Sequence, residues 1–296
     1  MVQFNNKKIL CFGEVLWDML PTGPKPGGAP MNVAAHLQKA GQNVSIISRI
    51  GKDKEGEELI LFLKRLGLGT NLIQEDDKLP TSKVLVHLDN RNNATYEICR
   101  PVAWDSISVT ESNLEEAGAS GLIIFGTLAS RGDVTRRSLL KLIDSSAIKL
   151  IDVNLRPPYG RQEVVDELLF KADIAKLNND ELAKIGEWHH CIAEEKELMA
   201  WMARHYGINM VCVTRGAAGA ILYHEGAFYE HPGFKVDTAD TVGAGDAFLA
   251  GFVASIINGR APGESLAFAC ATGALVASKE GAVPNYHPDE IKLLMK

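Results

Sequence analysis

The stretch DTVGAGD at residues 240–246 runs directly into the apolar segment AFLAGFVASII at residues 247–257. The apolar run predicts a buried helix that begins near Gly243, and the first amides of such a helix have no partner within it. Glycine at positions 243 and 245 allows the backbone to come close to a ligand. Free amides and the positive end of the helix dipole suit a phosphate group, so this stretch predicts an anion site.

Asp246 lies in the first turn of this predicted helix. A carboxylate there is common because it complements the helix dipole, which is the simpler interpretation. The alternative is catalytic, because a carboxylate beside a phosphate can accept the proton of an attacking hydroxyl. Two better-known glycine loops do not fit the sequence. Phe248 occupies the third small position of a dinucleotide fingerprint, and Gly51-Lys52 is followed by Asp53 where a Walker-type loop has Ser or Thr.

The 240–246 stretch resembles the C-terminal signature of the ribokinase/fructokinase group of sugar kinases, the pfkB-type carbohydrate kinases. PGGAPMNVA at residues 26–34 resembles the N-terminal signature of the same family. The order and separation of the two motifs extend the resemblance over essentially all 296 residues, and the chain is most like a fructokinase. The resemblance implies an α/β fold of the ribokinase-like type. This fold is a three-layer α/β/α sandwich with a mainly parallel central sheet and a small β-sheet lid.

The composition favours a large globular domain and argues against several other classes of protein. A chain of 296 residues with 46% hydrophobic residues can bury on the order of 75% of its unfolded surface. A net charge of −6 without any run of Lys or Arg disfavours nucleic acid and anionic membranes as partners. The five scattered cysteines form no C-x-x-C pair and predict reduced thiols. Neither a signal peptide nor a membrane span is recognisable, so we expect a cytoplasmic protein.

Short apolar runs alternate with amphipathic segments of helical length. The apolar runs predicted as buried strands are residues 8–13, 44–50, 122–125, 149–153, 174–177 and 210–214. The segments with helical periodicity are residues 31–40, 55–66, 134–144, 163–170, 180–185 and 194–206. This alternation predicts a parallel sheet covered by helices on both faces, with ligands at the carboxyl ends of the strands.

Two stretches break this alternation. Residues 82–88 and 94–100 are strand-like and flank five polar residues, which predicts a hairpin. Residues 15–30 are rich in proline and glycine. We interpret the segments at about 15–30 and 82–104 as a small lid on a single kinase domain, residues 1–296, although a surface meander is an alternative. A lid excludes water during phosphoryl transfer, and its exposed edge would allow a homodimer.

The predicted sugar site combines residues near the first strand. The Asp18 carboxylate can accept hydrogen bonds from two hydroxyl groups, and Gly27 and Gly28 permit close approach of the backbone. Asn32 offers a donor and an acceptor at the start of a helix. A solvated loop, a turn and a helix cap are the simpler interpretations of these residues. The family resemblance favours contact with sugar hydroxyls, and Arg100 at the end of a predicted lid strand is a further candidate for substrate binding.

Two further motifs point to the nucleotide and its metal. DVNLR at residues 152–156 resembles a motif of fructokinases and ketodeoxygluconate kinases, and Arg156 could stabilise charge on the transferred phosphoryl group. NNDE at residues 178–181 resembles the N-x-x-E element of the family. That resemblance implies that Asn178 and Glu181 organise Mg²⁺ through water around the phosphates, with Asn178 also at the nucleotide. The same spacing is a helix capping pattern.

The remaining candidates lie in two loops. Thr214, Gly216 and Gly219, in TRGAAG at the end of a predicted strand, are predicted to lie at the nucleotide together with Asn285. The resemblance also makes Asp240 and the carbonyl groups around residues 277–285 candidates for binding a monovalent cation such as K⁺.

These patterns together predict an ATP-dependent sugar kinase. Asp246 takes the proton of the sugar's primary hydroxyl, while the amides of Gly243, Ala244 and Gly245 stabilise the developing charge with Mg²⁺. D-fructose, giving fructose 6-phosphate, is the first choice of acceptor. The alternatives are 2-keto-3-deoxygluconate, whose carboxylate needs a cation in the pocket, and another sugar or nucleoside. An inactive sugar- or nucleotide-binding regulator is the non-enzyme alternative, and the intact Asp246 argues against it.

Overall fold

The computed structural model describes residues 6–88 and 94–296 of the protein. Within these residues the strands are β1 (Ile9–Phe12), β2 (Leu16–Leu20), β3 (Gly23–Gly27), β4 (Val44–Gly51), β5 (Ile73–Asp76), β6 (Ser82–Leu88), β7 (Ala94–Ile98), β8 (Leu122–Gly126), β9 (Ile148–Asp152), β10 (Ile174–Asn178), β11 (Met210–Thr214), β12 (Ala220–His224) and β13 (Ala227–His231).

The helices in the same part of the chain are α1 (Ala29–Lys39), α2 (Lys54–Arg65), α3 (Glu111–Ala119), α4 (Asp133–Leu142), α5 (Gln162–Leu169), α6 (Asn179–Trp188), α7 (Glu195–Tyr206), α8 (Ala244–Ile257), α9 (Pro262–Ala277) and α10 (Pro288–Leu294). Short 3₁₀ turns cover Ala103–Ser106, Leu128–Arg131 and Gly216–Ala218. No helix in the described residues is long and apolar enough to cross a membrane.

The larger sheet has nine strands in the order β13-β12-β11-β10-β9-β8-β1-β4-β5. The strands from β11 to β5 are all parallel, and β12 and β13 extend this sheet as an antiparallel hairpin. The predicted strands coincide with β1, β4, β8, β9, β10 and β11, because a strand covered on both faces is a continuous apolar run, whereas the edge strand β5 (IQED) has no such run and was not predicted. The β12–β13 hairpin was not among the predicted strands. Its turn holds Glu225 and Gly226 at positive φ, which suits a two-residue connection.

Alternate residues of the central strands enter two separate cores. In β1, Ile9 and Cys11 pack with α1, α2, α8 and α9, whereas Leu10 and Phe12 pack with α4, α5, α6 and α7 on the other face. The molecule is therefore a three-layer α/β/α sandwich, and the predicted fold class is confirmed. Because the parallel strands point in one direction, the loops after β1, β8, β9, β10 and β11 lie at one edge.

A second sheet has four strands in the order β3-β2-β6-β7, with β2 and β6 parallel and the other pairs antiparallel. Both segments predicted as a lid supply its strands, although residues 89–93 of the predicted hairpin lie outside the described residues. Trp17 Nε1 donates to the carbonyl of Glu55, 3.0 Å away, at the start of α2. Tyr159 Oη donates to the carbonyl of Ile98, 3.2 Å away. These bonds join the small sheet to the larger domain at two places.

Candidate active site

The N-terminus of α8 has the geometry of an anion site. Gly243 is the N-cap residue, with φ 76°, and among the described residues no side chain accepts a hydrogen bond from the first amides of the helix. A Cβ atom at position 243 would lie 2.5 Å from the carbonyl oxygen of Ala282, so only glycine fits. The N–H of Ala244 bonds to the carbonyl of Thr241 at 3.2 Å. Within residues 6–88 and 94–296, the amides of Gly243 and Gly245 have no hydrogen-bond partner and are the better donors to an anion.

Asp246 is half-buried in the first turn of α8. Its Oδ2 accepts a hydrogen bond from Asn32 Nδ2 at 2.8 Å. Burial and the nearby Asp152 carboxylate raise the pKa of Asp246 to about 6, although the Asn32 bond and the charges of Lys176 and Arg156 oppose the shift. A carboxylate with this pKa is ionised at neutral pH and remains basic enough to accept a proton in a transition state.

Asn32 positions this carboxylate and still has unused hydrogen-bonding capacity. It lies in the first turns of α1 and is buried, and its Oδ1 has no partner in the described residues. Because a carboxylate only accepts, the amide nitrogen of Asn32 must face Asp246. The orphaned oxygen is free to accept a hydroxyl proton from a bound acceptor, which would remove the cost of leaving it unpaired.

Lys176, which the sequence analysis did not single out, forms a buried ion pair under the anion site. Its Nζ lies 2.9 and 3.2 Å from the two carboxylate oxygens of Asp152, which ends β9 and pairs in register with Lys176 in the middle of the adjacent strand β10. A Cβ atom at Gly245 would be only 3.4 Å from this Nζ. Burial lowers the pKa of Lys176, but Asp152 and Asp246 outweigh that effect and the net shift is upward. The signal for this residue is a lysine inside the apolar strand IAKLN, which requires a partner.

Glu14, directly after β1, is a second residue that sequence reasoning missed. It is 3% exposed, and its Oε2 has no partner in the described residues. Burial raises the pKa of Glu14 to about 7, despite main-chain N–H groups and the charge of Arg156. With Thr127, Asp152 and Asn154 it lines a cavity of about 10 Å³, room for roughly one water molecule.

The predicted sugar residues from the N-terminal region converge beside these groups. Asp18 lies on β2 with its carboxylate against Gly27, where any side chain would collide with Asp18 Oδ2. Gly28 has φ 115°, and a Cβ atom there would collide with the carbonyl of Glu14. Burial raises the pKa of Asp18, and Arg156 opposes this shift. Thus β2, the end of β3 and the end of β1 form one wall of the cleft.

The two predicted arginines differ in their surroundings. Arg156 is exposed on the loop after β9, and its charge lowers the pKa values of Glu14, Asp18 and Asp246 alike. It therefore faces the cleft. Arg100 is exposed, and its guanidinium lies 5.8 Å from the ring centre of Tyr159. No contact in the described part of the chain joins Arg100 to the carboxylates of the cleft.

Asn178 and Glu181 form a capping box at the start of α6. Asn178 Oδ1 accepts from the N–H of Glu181 at 2.8 Å, and Glu181 Oε2 accepts from the N–H of Asn178 at 2.9 Å. Glu181 Oε1 accepts from the N–H of Leu155 at 2.7 Å. Burial, assisted by Asp152, raises the pKa of Glu181. The capping interpretation is thus satisfied, and each carboxylate oxygen keeps a free lone pair.

These oxygen atoms suit a hydrated divalent cation. Together with Asp152, the side chains of Asn178 and Glu181 supply the oxygen groups that Mg²⁺ prefers, and they would act through retained water. No group of three or more His, Cys, Asp or Glu side chains that could hold a metal directly is present in the described residues. Mg²⁺ binding through water therefore stays a prediction.

The predicted nucleotide residues lie beside α6. Thr214 ends β11 and pairs in register with Asn178 at the end of β10. Gly216 has φ 56° and nothing within 4 Å of a Cβ atom, which leaves open space above this turn. At position 219 glycine is required by packing instead, because a side chain there would collide with the backbone of residues 231–233. Asn285 is exposed in the loop before α10.

Asp240 joins the two segments expected to hold a monovalent cation. Its Oδ1 accepts from the N–H of Val242 at 3.0 Å, and its Oδ2 accepts from the N–H of Gly281 at 3.1 Å. Its own N–H donates to the carbonyl of Ala277 at 3.2 Å. The carboxylate thus fixes the 240–246 stretch against residues 277–285, and cation binding stays a prediction.

Comparison with known proteins identifies the family. The chain matches the pfkB family of carbohydrate kinases over residues 5–289 and therefore belongs to it. It is 28% identical to probable fructokinase-4 of Arabidopsis thaliana, over 100% of this chain and 99% of that protein. It is 27% identical to the fructokinase of Salmonella typhimurium, over 94% and 95% of the two chains. The protein is accordingly a sugar phosphotransferase.

Solved structures share the fold over nearly the whole chain. A fructokinase from Xylella fastidiosa with bound ATP superposes with a TM-score of 0.84 and 24% identity, over 98% of both chains. An uncharacterised sugar kinase, PH1459, from Pyrococcus horikoshii superposes with a TM-score of 0.82 and 25% identity, over 97% of this chain and 99% of that one. These similarities confirm the predicted ribokinase-like architecture.

Proposed function

We propose that the protein is an ATP-dependent kinase that phosphorylates the primary hydroxyl of a ketose, with D-fructose as the first-choice acceptor. The observation that carries this proposal is the placement of Asp246. Its carboxylate is held by Asn32 at 2.8 Å in the first turn of α8, next to the amides of Gly243 and Gly245, which have no partner in the described part of the chain. A proton acceptor and an anion site thus adjoin each other at the edge of the sheet where ligands bind.

The proposed reaction is an in-line transfer. The acceptor oxygen forms a bond to the γ-phosphorus of ATP while the bond to the bridging oxygen of ADP breaks. Asp246 accepts the hydroxyl proton, and fructose 6-phosphate and ADP are the products. In this reaction the amides of Gly243 and Gly245 and the ammonium of Lys176 would stabilise the charge that develops on the phosphoryl oxygens. Mg²⁺, held through water near Glu181, would neutralise phosphate charge when bound.

The charges of the cleft favour a neutral acceptor. Glu14, Asp18 and Asp246 are three acidic groups around one wall, and Arg156 is the cation whose charge reaches all of them. Carboxylates bind sugar hydroxyls well and repel an acidic substrate. This balance supports fructose over 2-keto-3-deoxygluconate, and the relatives named fructokinase support the same choice.

The small sheet has the position of a lid in this proposal. Asp18 lies on its strand β2, so movement of the sheet would carry an acceptor ligand with it. Strands β3 and β7 form the outer edges of this sheet within the described residues. A free edge strand can pair with a second copy, so a homodimer through the lid remains part of the proposal.

An ADP-release assay tests the proposed function. The purified protein would be supplied with ATP, Mg²⁺ and, in turn, fructose, 2-keto-3-deoxygluconate, ribose, tagatose and adenosine. We expect the highest kcat/KM with fructose, and the Asp246→Asn variant controls for contaminating kinases. A higher kcat/KM for 2-keto-3-deoxygluconate would reject the choice of acceptor. ATP binding without sugar-dependent ADP release would favour a binding regulator instead.

A further inference from the structure

A buried histidine fastens the segment before α10 to helix α1. His36 is 1% exposed and lies one helical turn after Asn32. Its Nε2 is 2.9 Å from the carbonyl oxygen of Ala282, and its Nδ1 is 2.9 Å from Tyr286 Oη. The His36 and Tyr286 rings stack with their centres 5.7 Å apart. Both nitrogen atoms of the imidazole are therefore engaged.

The partners decide the tautomer. The Ala282 carbonyl only accepts, so Nε2 carries the hydrogen, and Nδ1 accepts the hydroxyl proton of Tyr286. Burial lowers the pKa of His36 to about 4, and the charge of Lys39 acts in the same direction, although the bond to Ala282 opposes the shift. The ring is thus neutral at physiological pH, and both hydrogen bonds persist there.

Ala282 is the residue that packs directly against the cap of α8. A Cβ atom at Gly243 would lie 2.5 Å from the Ala282 carbonyl oxygen and 2.6 Å from its Cα. Residues 281–287 have no regular secondary structure, so main-chain ladders do not fix them. Side chains hold them instead: Asp240 accepts from the N–H of Gly281, and from α1 Lys39 Nζ donates to the carbonyl of Pro284 at 2.5 Å.

Helix α1 consequently contacts both halves of the catalytic arrangement. Through Asn32 it holds the Asp246 carboxylate, and through His36 it holds the carbonyl that packs on Gly243. The two side chains are four residues apart and lie on one face of the helix. Helix α1 thus supports the proton acceptor and the turn at the anion site together, and a displacement of either by about 1 Å would slow the transfer.

We propose that His36 is a positioning residue for phosphoryl transfer: its bond to Ala282 sets the left-handed turn at Gly243 whose amides receive the phosphate. This inference rests on the proposed function of the Asp246 site. The bond to Tyr286 has a lesser part, because it orients the ring without touching the turn. An apolar residue at position 36 would fill the space and leave the partly buried Ala282 carbonyl without this hydrogen bond.

Two substitutions at one position separate these bonds. In His36→Gln the side-chain amide nitrogen reaches the place of Nε2 and can donate to Ala282. In His36→Asn the shorter side chain reaches only the place of Nδ1 and can accept from Tyr286. Tyr286→Phe removes the hydroxyl and leaves the histidine in place.

Steady-state kinetics at a temperature where all variants are folded test the inference. We expect His36→Asn to lower kcat about 10- to 100-fold with the KM of the acceptor within about twofold, since the acceptor site is untouched. We expect His36→Gln and Tyr286→Phe to keep kcat within about threefold. Equal losses in His36→Gln and His36→Asn, or unchanged kcat in both, would overturn the inference.

Amide hydrogen exchange gives a readout that does not need the kinase reaction. Peptides covering residues 240–247 should exchange about tenfold faster in His36→Asn than in the wild type, and at the wild-type rate in His36→Gln. Equal exchange of these peptides in all three proteins would reject the inference even if no sugar were phosphorylated. Failure of the wild type to phosphorylate any sugar would reject the proposed function alone.

Discussion

The phosphoryl end and the acceptor end of the cleft are built differently. The phosphoryl end comes from one continuous stretch, residues 240–246, whose main chain carries the donors and whose Asp240 carboxylate accepts two main-chain bonds. The acceptor end combines Glu14, Asp18 and Arg156 from three separate segments. Glu14 Oε2 and Asn32 Oδ1 are buried there without a partner in the described residues.

This difference indicates which end is preformed. Oriented backbone donors cost no reorganisation when charge develops on a phosphate. Orphaned buried oxygen atoms carry a cost until a ligand or water supplies hydrogen-bond donors. We therefore expect changes at the phosphoryl end to lower kcat, and changes at the acceptor end to affect acceptor binding and stability.

The largest effect is expected for Asp246→Asn. Loss of the proton acceptor should lower kcat by at least ~10²-fold, the usual contribution of a positioned base. The dissociation constant of ATP should change little, because the backbone donors remain. Isothermal titration calorimetry and single-turnover kinetics measure the two quantities. Near-normal turnover at saturating substrates would show that another group accepts the proton.

The second effect concerns the turn at Gly243. Gly243→Ala places a methyl group against Ala282 and should lower kcat on the order of 10²-fold. Gly41→Ala is the matched control, because Gly41 has a similar φ of 73° with nothing within 4 Å of its Cβ position. Similar kcat values for the two variants would mean that backbone strain, and not the Ala282 contact, explains any loss.

A smaller effect should appear at Asp18. Asp18→Asn weakens charge-assisted bonds to sugar hydroxyls and should raise the KM of the acceptor about 10- to 100-fold, with kcat changed only a few-fold. Asp77→Asn is the control, since that carboxylate is exposed and pairs with Lys52 on the surface. A loss in kcat at an unchanged KM would show that Asp18 acts at the phosphoryl end. The two ends of the cleft would then not differ in the way described above.

The last effect is a change in stability and concerns Glu14. Its pKa is raised from 4.5 to about 7, so the native state holds a proton that the unfolded state releases between these values. The resulting destabilisation is absent below pH 4.5, grows through that window and is constant above it. Glu14→Gln should therefore gain on the order of 3 kcal/mol in unfolding free energy, relative to wild type, between pH 4.5 and 8.

Urea unfolding at the two pH values measures this gain. Glu290→Gln is the control, since the bond to Lys279 lowers the pKa of Glu290 below its ordinary value of 4.5, so its difference from wild type should stay nearly constant between the two pH values. A flat difference between wild type and Glu14→Gln would show that Glu14 already has a partner. The buried carboxyl group of Glu14 at the acceptor end would then have its hydrogen-bond partner before any ligand binds.

The sequence predicted the parallel core and the 240–246 site because both signals are local. A buried parallel strand such as ILCF in β1 is an uninterrupted apolar run, and a glycine-rich helix start is readable within seven residues. The roles of Lys176 and His36 were not predicted from the sequence because their partners are distant along the chain. Asp152 precedes Lys176 by 24 residues, and Ala282 follows His36 by 246. The sequence around a buried polar residue does not indicate which distant residue is its partner.

A crystal structure with ADP, an acceptor sugar and Mg²⁺ would show whether Asp246 contacts the hydroxyl that is phosphorylated. We expect the primary hydroxyl oxygen within about 2.6–3.2 Å of an Asp246 carboxylate oxygen, on the side toward the phosphate. The amides of Gly243 and Gly245 should point at the transferred group or its substitute. A sugar hydroxyl bound far from Asp246, with that carboxylate still held only by Asn32, would contradict it.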